Sequence, residues 1–175
     1  MMEPSVDGIK GLTRKEQNYF IRGRRMAQRF PWGPRLFSKS NRVLFRLTGG
    51  RLGGRILGVP VALLTTTGRR SGQTRTVPVV YLDDGFRFLV ATSNNGFDTS
   101  PAWFLNLQSN PNAELRTRRG TERVVARQLS TVEREEVWPR LLQHNPMWGA
   151  YQSCTERQLA VVELHRDGEP RRERP

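Results

Sequence analysis

Residues 65–78 read Thr-Thr-Thr-Gly-Arg-Arg-Ser-Gly-Gln-Thr-Arg-Thr-Val-Pro, and this stretch decides the fold. The apolar run 61–64 leads into the three threonines, and this composition predicts a strand. Gly68 and Gly72 bracket the next two arginines and a serine, which is typical of a tight turn. Residues 76–82 are β-rich again. The sequence therefore predicts a strand–turn–strand hairpin that carries three arginines (Arg69, Arg70 and Arg75) at its tip.

These three arginines form a candidate anion-binding site. Guanidinium groups and the backbone N–H groups of a glycine-rich turn both bind phosphate and carboxylate. The turn is not a Walker loop, because no lysine follows its second glycine, and it lacks the Gly-x-Gly-x-x-Gly pattern of dinucleotide-binding folds. Taken alone, the segment favours a simpler interpretation, a solvated arginine-rich hairpin.

The chain has 175 residues, enough for one domain with its own core, and it is strongly basic. Its formal charge of +13 is unevenly spread. Residues 1–55 hold 13 Lys and Arg against 3 Asp and Glu, a net +10, which leaves 16 against 13, a net +3, for residues 56–175. A basic segment attracts nucleic acid, anionic lipid or small anions without selecting among them.

The number of cysteines and the lengths of the apolar runs indicate the cellular compartment of the protein. The single cysteine, Cys154, excludes an internal disulfide and is compatible with a reducing compartment. No N-terminal run resembles a signal peptide, and no segment approaches the ~20 apolar residues of a membrane span. We therefore expect a soluble, cytoplasmic protein, and this location is compatible with peripheral contact with a membrane.

The chain divides into three predicted parts. We expect a basic helical extension over 1–55, a globular domain over 56–165 and a charged, disordered tail over 166–175.

The N-terminal extension carries two predicted helices. Residues 14–30 place aromatic and apolar side chains among arginines at helical spacing, which predicts a basic amphipathic helix that ends at Pro31. Such a helix either lies on an anionic membrane surface or packs on its own domain, and the pattern leaves both open. Residues 36–47 predict a second helix, and the glycine pairs that follow mark the connection to the globular domain.

The remainder of the chain predicts hairpins separated by helices. Residues 86–92 form a strand, and the helix after it is capped by Thr99 or Ser100. Ser130 and Glu133 form a capping box for a further helix. Other strands are predicted over 113–117, 121–129 and 159–164, with a short aromatic segment over 147–151. Because strands and helices do not alternate regularly, the pattern favours a mainly antiparallel sheet or barrel with helices outside.

Side chains suited to catalysis are sparse. The two histidines, His144 and His165, offer no zinc cluster of familiar spacing with the one cysteine. No Gly-x-Ser-x-Gly elbow supports a serine nucleophile. We therefore expect no metal, and we expect a bound cofactor to carry any reaction. Nucleic-acid binding ranks below an anionic cofactor, because no zinc finger, RNA-binding signature or helix-turn-helix accompanies the basic residues.

Several motifs together resemble one enzyme family. Residues 63–75 are similar to the signature turn of the deazaflavin-dependent nitroreductase family, and the likeness runs in order over 47–164. The other matching motifs are 47–58, 91–96, 101–107, 138–139 and 151–157. The resemblance implies a split β-barrel and a reduced 8-hydroxy-5-deazaflavin coenzyme of the F420 type as hydride donor. It also implies acceptors that are nitroaromatics, nitroimidazoles, activated enones or quinones, and pairing of the barrels as homodimers.

The resemblance implies roles for individual residues. The coenzyme's phosphate and oligoglutamate tail would be bound by the hairpin residues Arg69, Arg70, Ser71, Gly72, Gln73 and Arg75. Its ring system would contact Pro78, Ala91, Thr92, Ser93, Asn94, Asn95, Gly96, Ala102 and Trp103. The substrate would meet Trp148 and Tyr151, and the proton would come from Tyr151, Ser93 or water. A polyanionic tail agrees with the independent interpretation of the turn as an anion site.

The sequence departs from the family pattern at a few positions. Family members often have lysine where this chain has Arg70 and Asn94, so Arg70 keeps a charge and Asn94 removes one. They often have tyrosine where this chain has Val80 or Asn145, so the resemblance leaves the substrate range open, including activity on bicyclic nitroimidazole prodrugs. Two alternatives stay open: a flavin-mononucleotide enzyme on the same barrel, and a non-catalytic protein that binds deazaflavin or another amphiphile.

Overall fold

The structure, a computed structural model, describes residues 11–30 and 33–166, so Pro31 and residues 167–175 of the predicted tail lie outside it. Arg166 was predicted as the first residue of that tail, but it is the last residue of a paired strand. Its helices are α1 (Arg14–Arg29), α2 (Gly33–Thr48), α3 (Ala102–Ser109), α4 (Thr131–His144) and α5 (Met147–Gln152). Its strands are β1 (Arg55–Ile56), β2 (Val59–Thr67), β3 (Thr74–Val80), β4 (Leu82–Asp83), β5 (Arg87–Ala91), β6 (Asn112–Thr117), β7 (Gly120–Gln128) and β8 (Val161–Arg166). A short 3₁₀ turn, Asn94–Gly96, follows β5.

The strands form one curled sheet. Their order is β1-β2-β6-β7-β8-β5-β4, and β3 pairs with β2. Every strand pair in the described ranges is antiparallel. Successive side chains of a strand point to opposite faces, so β5 and β8 each supply residues to a core on both sides of the sheet. The antiparallel sheet with helices outside confirms the predicted fold class.

Two hydrophobic clusters lie on the two faces of the sheet. On one face, Phe88 and Leu115 are fully buried and pack with Phe104 of α3. On the other face, Leu89 packs with Trp148 of α5 and with residues of α4. Trp148 and Tyr151 of α5 therefore both pack beside β5.

The predicted arginine hairpin is confirmed. β2 and β3 pair in register up to Thr67 opposite Thr74. Gly68 closes the turn: its N–H donates to the Gln73 carbonyl at 2.8 Å, and its own carbonyl accepts from the Gly72 N–H at 2.8 Å. Gly72 has φ +66°, a left-handed conformation that glycine adopts without steric conflict. The turn is therefore a single tight loop between two paired strands.

Two strand boundaries were predicted wrongly. The strand expected over 76–82 is interrupted at Tyr81, whose N–H donates to the carbonyl of Pro60 at 3.4 Å. The last strand begins at Val161, two residues later than predicted. Leu159 is held by helix side chains instead of a neighbouring strand: its N–H donates to a glutamine of α5, and its carbonyl accepts from an arginine of α4.

The predicted cap of α3 was also wrong. Pro101 occupies the N-cap position instead of Thr99 or Ser100, with φ −65° and ψ 146°, and it makes no side-chain capping bond. The fixed φ of proline suits this position, which needs no N–H donor. In α4 the capping box of Ser130 and Glu133 is present as predicted.

The two N-terminal helices pack against the domain through part of their surface. In α1, Phe20 is buried among residues of α5, and in α2, Phe45 is buried. Arg42 of α2 donates to the Thr76 carbonyl of β3 at 3.2 Å. None of the described helices combines the length and apolar composition that crossing a bilayer requires.

A buried carboxylate joins three strands behind the site. Glu163 of β8 accepts hydrogen bonds from Arg87 of β5 and Arg127 of β7, and it lies 2.8 Å from His165. Burial raises the pKa of Glu163, but the hydrogen bonds from Arg127, His165 and Arg87 outweigh it and hold the pKa below its ordinary value. The carboxylate is therefore charged and fully paired, which indicates a structural role.

Candidate functional site

A cavity of about 540 Å³ lies beside β2, β3 and β5. The helices α1, α3 and α5 and the 3₁₀ turn complete its walls. Strand residues give it an apolar floor, to which Val59, Val61, Val77, Val79 and Val90 contribute. A pocket of this kind, apolar with a few polar groups, is the usual form of a cofactor or substrate site.

Most residues predicted to contact a ring system or a substrate meet in this cavity. Those that line it are Pro78, Ala91, Ser93, Asn94, Asn95, Ala102, Trp103, Trp148 and Tyr151. They come from β3, β5, the 3₁₀ turn, α3 and α5. The fold therefore brings together residues that lie up to 73 positions apart in the sequence, from Pro78 to Tyr151. Val80 and Asn145, where family members often have tyrosine, also line the cavity.

The polar side of the cavity is the turn after β5. Asn94 and Asn95 both have positive φ, 42° and 57°, and Gly96 follows with φ +71°. Arg24 of α1 holds this turn from outside, since its Nη1 donates to the carbonyls of Asn95 and Gly96 at 3.3 Å each. Ser93, Asn94 and Asn95 line the cavity, and the Asn94 side-chain amide donates to the carbonyl and the hydroxyl of Thr99 at 2.8 and 3.3 Å.

Two residues predicted to bind the ring system lie behind the cavity wall. The Thr92 side chain is fully buried, and Arg157 donates to its hydroxyl and its carbonyl at 3.3 and 3.0 Å. Gly96 is also buried, and Arg24, Tyr151 and Cys154 surround it so closely that a Cβ atom would lie under 3.1 Å from each. Neither residue is among those that line the cavity.

Tyr151 lines the cavity, whereas Cys154 is buried outside its lining. Tyr151 lines the cavity, and its ring centroid lies 5.3 Å from that of Phe20 of α1. Burial raises the pKa of Tyr151 well above its ordinary value, so its phenol is neutral at physiological pH and is able to donate a hydrogen bond. Cys154 is buried, and burial raises the pKa of its thiol. Its protonated state and burial make it an unreactive packing residue.

The arginine turn lies at the edge of this site rather than inside the cavity. Arg69, Arg70 and Arg75 are exposed, and no carboxylate in the described part of the chain forms a salt bridge with them. Arg75 precedes the cavity residue Pro78 by three positions of β3, about 10 Å along a strand. Ser71, Gly72 and Gln73 complete the exposed tip.

Sequence reasoning missed several residues of the site. Glu16 and Tyr19 of α1 line the cavity, and Arg24 braces its turn. The start of α1 at Arg14 was predicted correctly, and a capping box of Thr13 and Glu16 fixes it. Its docking against the cavity depends on contacts between distant segments, for which the sequence carries no local signal.

Comparison with known proteins relates this arrangement to one family. A family model described as F420H(2)-dependent quinone reductase matches residues 37–165. The F420H(2)-dependent quinone reductase of Mycobacterium tuberculosis strain ATCC 25618 / H37Rv is 35% identical over 127 residues, covering 70% of this chain and 85% of that protein. Helix α1 lies before the matched region.

Solved structures give the same result. A structure described as F420-H2-dependent reductase FDR-A matches with a TM-score of 0.56 and 29% identity, covering 61% of this chain and 94% of that chain. A structure described as a domain-swapped dimer matches with a TM-score of 0.58 and 28% identity, covering 73% and 94%. These matches, with the curled antiparallel sheet, confirm the split-barrel fold that the resemblance implied.

Proposed function

The chain belongs to the F420H(2)-dependent quinone reductase family, and we propose that it passes a hydride from reduced F420 to a quinone or another electron-poor acceptor. The observation that carries this proposal is the meeting of nine predicted residues in one apolar cavity, beside an exposed arginine turn. The arrangement fits a coenzyme with a flat ring system and a polyanionic tail. The ring system suits the apolar walls, and the phosphate and glutamates suit guanidinium groups that form no salt bridge with any described carboxylate.

The arginine turn would fix the coenzyme by its tail. Arg69, Arg70 and Arg75 present planar donors that match phosphate and carboxylate oxygens. Arg75 lies about 10 Å from Pro78 along β3, which leaves room for the linker between ring and phosphate. When bound, the reduced coenzyme supplies the hydride. The protein then contributes orientation, and the walls contributed by α1 and α5 exclude water.

Hydrogen-bond donors would stabilise the acceptor as it takes up charge. A quinone oxygen becomes negative when a hydride reaches the ring, and a neutral phenol placed beside it stabilises that charge. Tyr151 and Ser93 both line the cavity, and the neutral phenol of Tyr151 and the hydroxyl of Ser93 are both hydrogen-bond donors. One of these groups, or water, would complete the transfer by donating the proton that yields the quinol.

The proposal is tested by coenzyme selectivity combined with turnover. We expect oxidised F420 to bind in a fluorescence titration that excess flavin mononucleotide or NADPH does not compete, and menadione to drive oxidation of the reduced coenzyme. A purified protein that carries a flavin spectrum and leaves F420 unbound would support the flavin alternative. Tight F420 binding without oxidation by menadione or a nitroaromatic would support the non-catalytic alternative.

We also propose that residues 1–30 contact anionic membrane surfaces, which would bring the site to a lipid-soluble acceptor. The support is that Met26 is 63% exposed on α1 among the exposed arginines Arg22, Arg25 and Arg29. Changing these three arginines to glutamate should abolish co-sedimentation with phosphatidylglycerol vesicles. The control changes Arg119 and Arg123, which are exposed in the β6–β7 hairpin, to glutamate. Equal vesicle binding by both variants would contradict the proposal.

We further propose that the chain forms a homodimer. The support is its likeness, at a TM-score of 0.58, to the structure described as a domain-swapped dimer. Sedimentation velocity should give a mass near twice 20.1 kDa at micromolar concentration. A single species with the mass of one chain would contradict this proposal.

A further inference from the structure

Asn106 of α3 makes two hydrogen bonds from a buried position. It is 5% exposed. Its Oδ1 accepts from the backbone N–H of Arg69 at 3.1 Å, and its Nδ2 donates to the hydroxyl of Thr66 at 3.1 Å. Both ends of the side-chain amide are therefore bonded to β2 or to the arginine turn that follows it.

Hydrogen-bond chemistry fixes the orientation of this amide independently of the atom assignment. A backbone N–H only donates, so the amide atom that faces Arg69 must be the oxygen. The nitrogen then faces Thr66, whose hydroxyl oxygen is an acceptor. Thr66 lies directly opposite Arg75 in the β2–β3 pair. The amide thus contacts the turn at Arg69 and supports the strand position across from Arg75.

The position of Asn106 on α3 connects the turn to the cavity. The first two residues of α3, Ala102 and Trp103, line the cavity. Asn106 comes three residues after Trp103, a rise of about 4.5 Å along the helix. A short helix that lines the cavity with its first residues and bonds the turn from its middle determines how far apart these two features lie.

We propose that Asn106 is a positioning residue that holds the arginine turn at a fixed distance from the cavity, so that the two can bind the tail and the ring of one coenzyme molecule. This inference rests on the proposed function, because it requires the arginine turn to bind the tail. Asn106 lies outside the cavity walls and acts through Arg69 and Thr66. It should therefore affect binding of the coenzyme and leave the later steps unchanged.

The test replaces Asn106 with leucine, which has a similar size and makes neither hydrogen bond. Asn106→Leu should raise the KM for reduced F420 and the Kd for oxidised F420 about tenfold, with kcat and the KM for menadione within about twofold. Gln108→Leu is the matched control, because Gln108 is an exposed residue of the same helix. Thr66→Val removes only the hydroxyl that accepts from Asn106 Nδ2, so it should raise the KM for reduced F420 and the Kd for oxidised F420 by a smaller factor. If Asn106→Leu does not fold, Thr66→Val takes its place in the test.

A tail-free probe separates this inference from the proposed function. The probe is the deazaflavin chromophore with its ribityl chain and without phosphate or glutamates. Asn106→Leu should leave the Kd of this probe unchanged, and its effect on full-length F420 should be largely lost when Arg70 is already alanine. If the wild-type chain binds probe and coenzyme equally, both the tail site and the role of Asn106 are overturned. If the wild type prefers the coenzyme and Asn106→Leu keeps the full preference, only the role of Asn106 is overturned.

Discussion

Replacing Arg70 and Arg75 together by alanine is expected to weaken binding of oxidised F420 about 100-fold, because two charge-assisted contacts to the tail are lost. Both side chains are exposed and form no salt bridge within the described residues, so the fold should be unaffected. Fluorescence titration measures the change in Kd. Rising ionic strength should weaken wild-type binding more steeply than binding by the double variant, since exposed charges are screened by salt.

The control for this experiment removes two arginines elsewhere. Arg119 and Arg123 are exposed in the β6–β7 hairpin, and their replacement by alanine lowers the net charge by the same amount. This control should change the Kd by less than about threefold, because distant surface charges contribute little at physiological salt. Equal losses in the two double variants would show that net charge, and not the β2–β3 turn, attracts the coenzyme.

Replacing Gly96 by alanine is expected to have the largest effect on stability. Gly96 has φ +71°, and an added Cβ atom would lie 2.7 Å from Arg24 Nη1, 2.9 Å from Cys154 Cβ and 3.0 Å from the Tyr151 carbonyl oxygen. Strain at positive φ and overpacking together should cost about 3 kcal/mol of the free energy of unfolding. Thermal denaturation should show this as a fall in Tm of roughly 10 °C. Arg24 and the cavity turn would be displaced as well, so coenzyme binding should also weaken.

Gly85→Ala separates the strain of a positive φ from the effect of overpacking. Gly85 has φ +89°, and a Cβ atom there would meet no heavy atom within 4 Å. This variant therefore carries the strain of positive φ alone, about 1 kcal/mol, and should lower Tm by only a few degrees. If Gly96→Ala and Gly85→Ala lowered the Tm by the same amount, close packing around Gly96 would contribute nothing to the loss of stability.

The parts of the fold that were predictable depend on local chemistry. Glycines, an apolar run and β-branched residues specify the β2–β3 hairpin within a few positions of chain. The capping box of Ser130 and Glu133 likewise specifies the start of α4 within four residues. Residues at the arginine tip and along the cavity could be named because these local signals also carry the motifs that the family shares.

The parts that were missed depend on contacts between distant residues. Arg24 bonds a carbonyl that lies 72 positions away, and Asn106 accepts from an N–H that lies 37 positions away. In the sequence, Arg24 is one arginine among several on a basic helix, and Asn106 is one amide in an apolar helix. Neither has a neighbour that distinguishes it, so only the tertiary structure reveals what each side chain supports.

The buried position of Cys154 has a practical consequence for measuring how fast the coenzyme binds and leaves. The chain has no other cysteine, and this one is packed beneath the cavity turn as a protonated thiol. Maleimide dyes react with exposed thiolates, so the native chain should stay unlabelled under mild conditions. A single cysteine introduced on the surface would then take up one fluorophore at a chosen place. Energy transfer between that dye and fluorescent F420 would report arrival and departure of the coenzyme in real time.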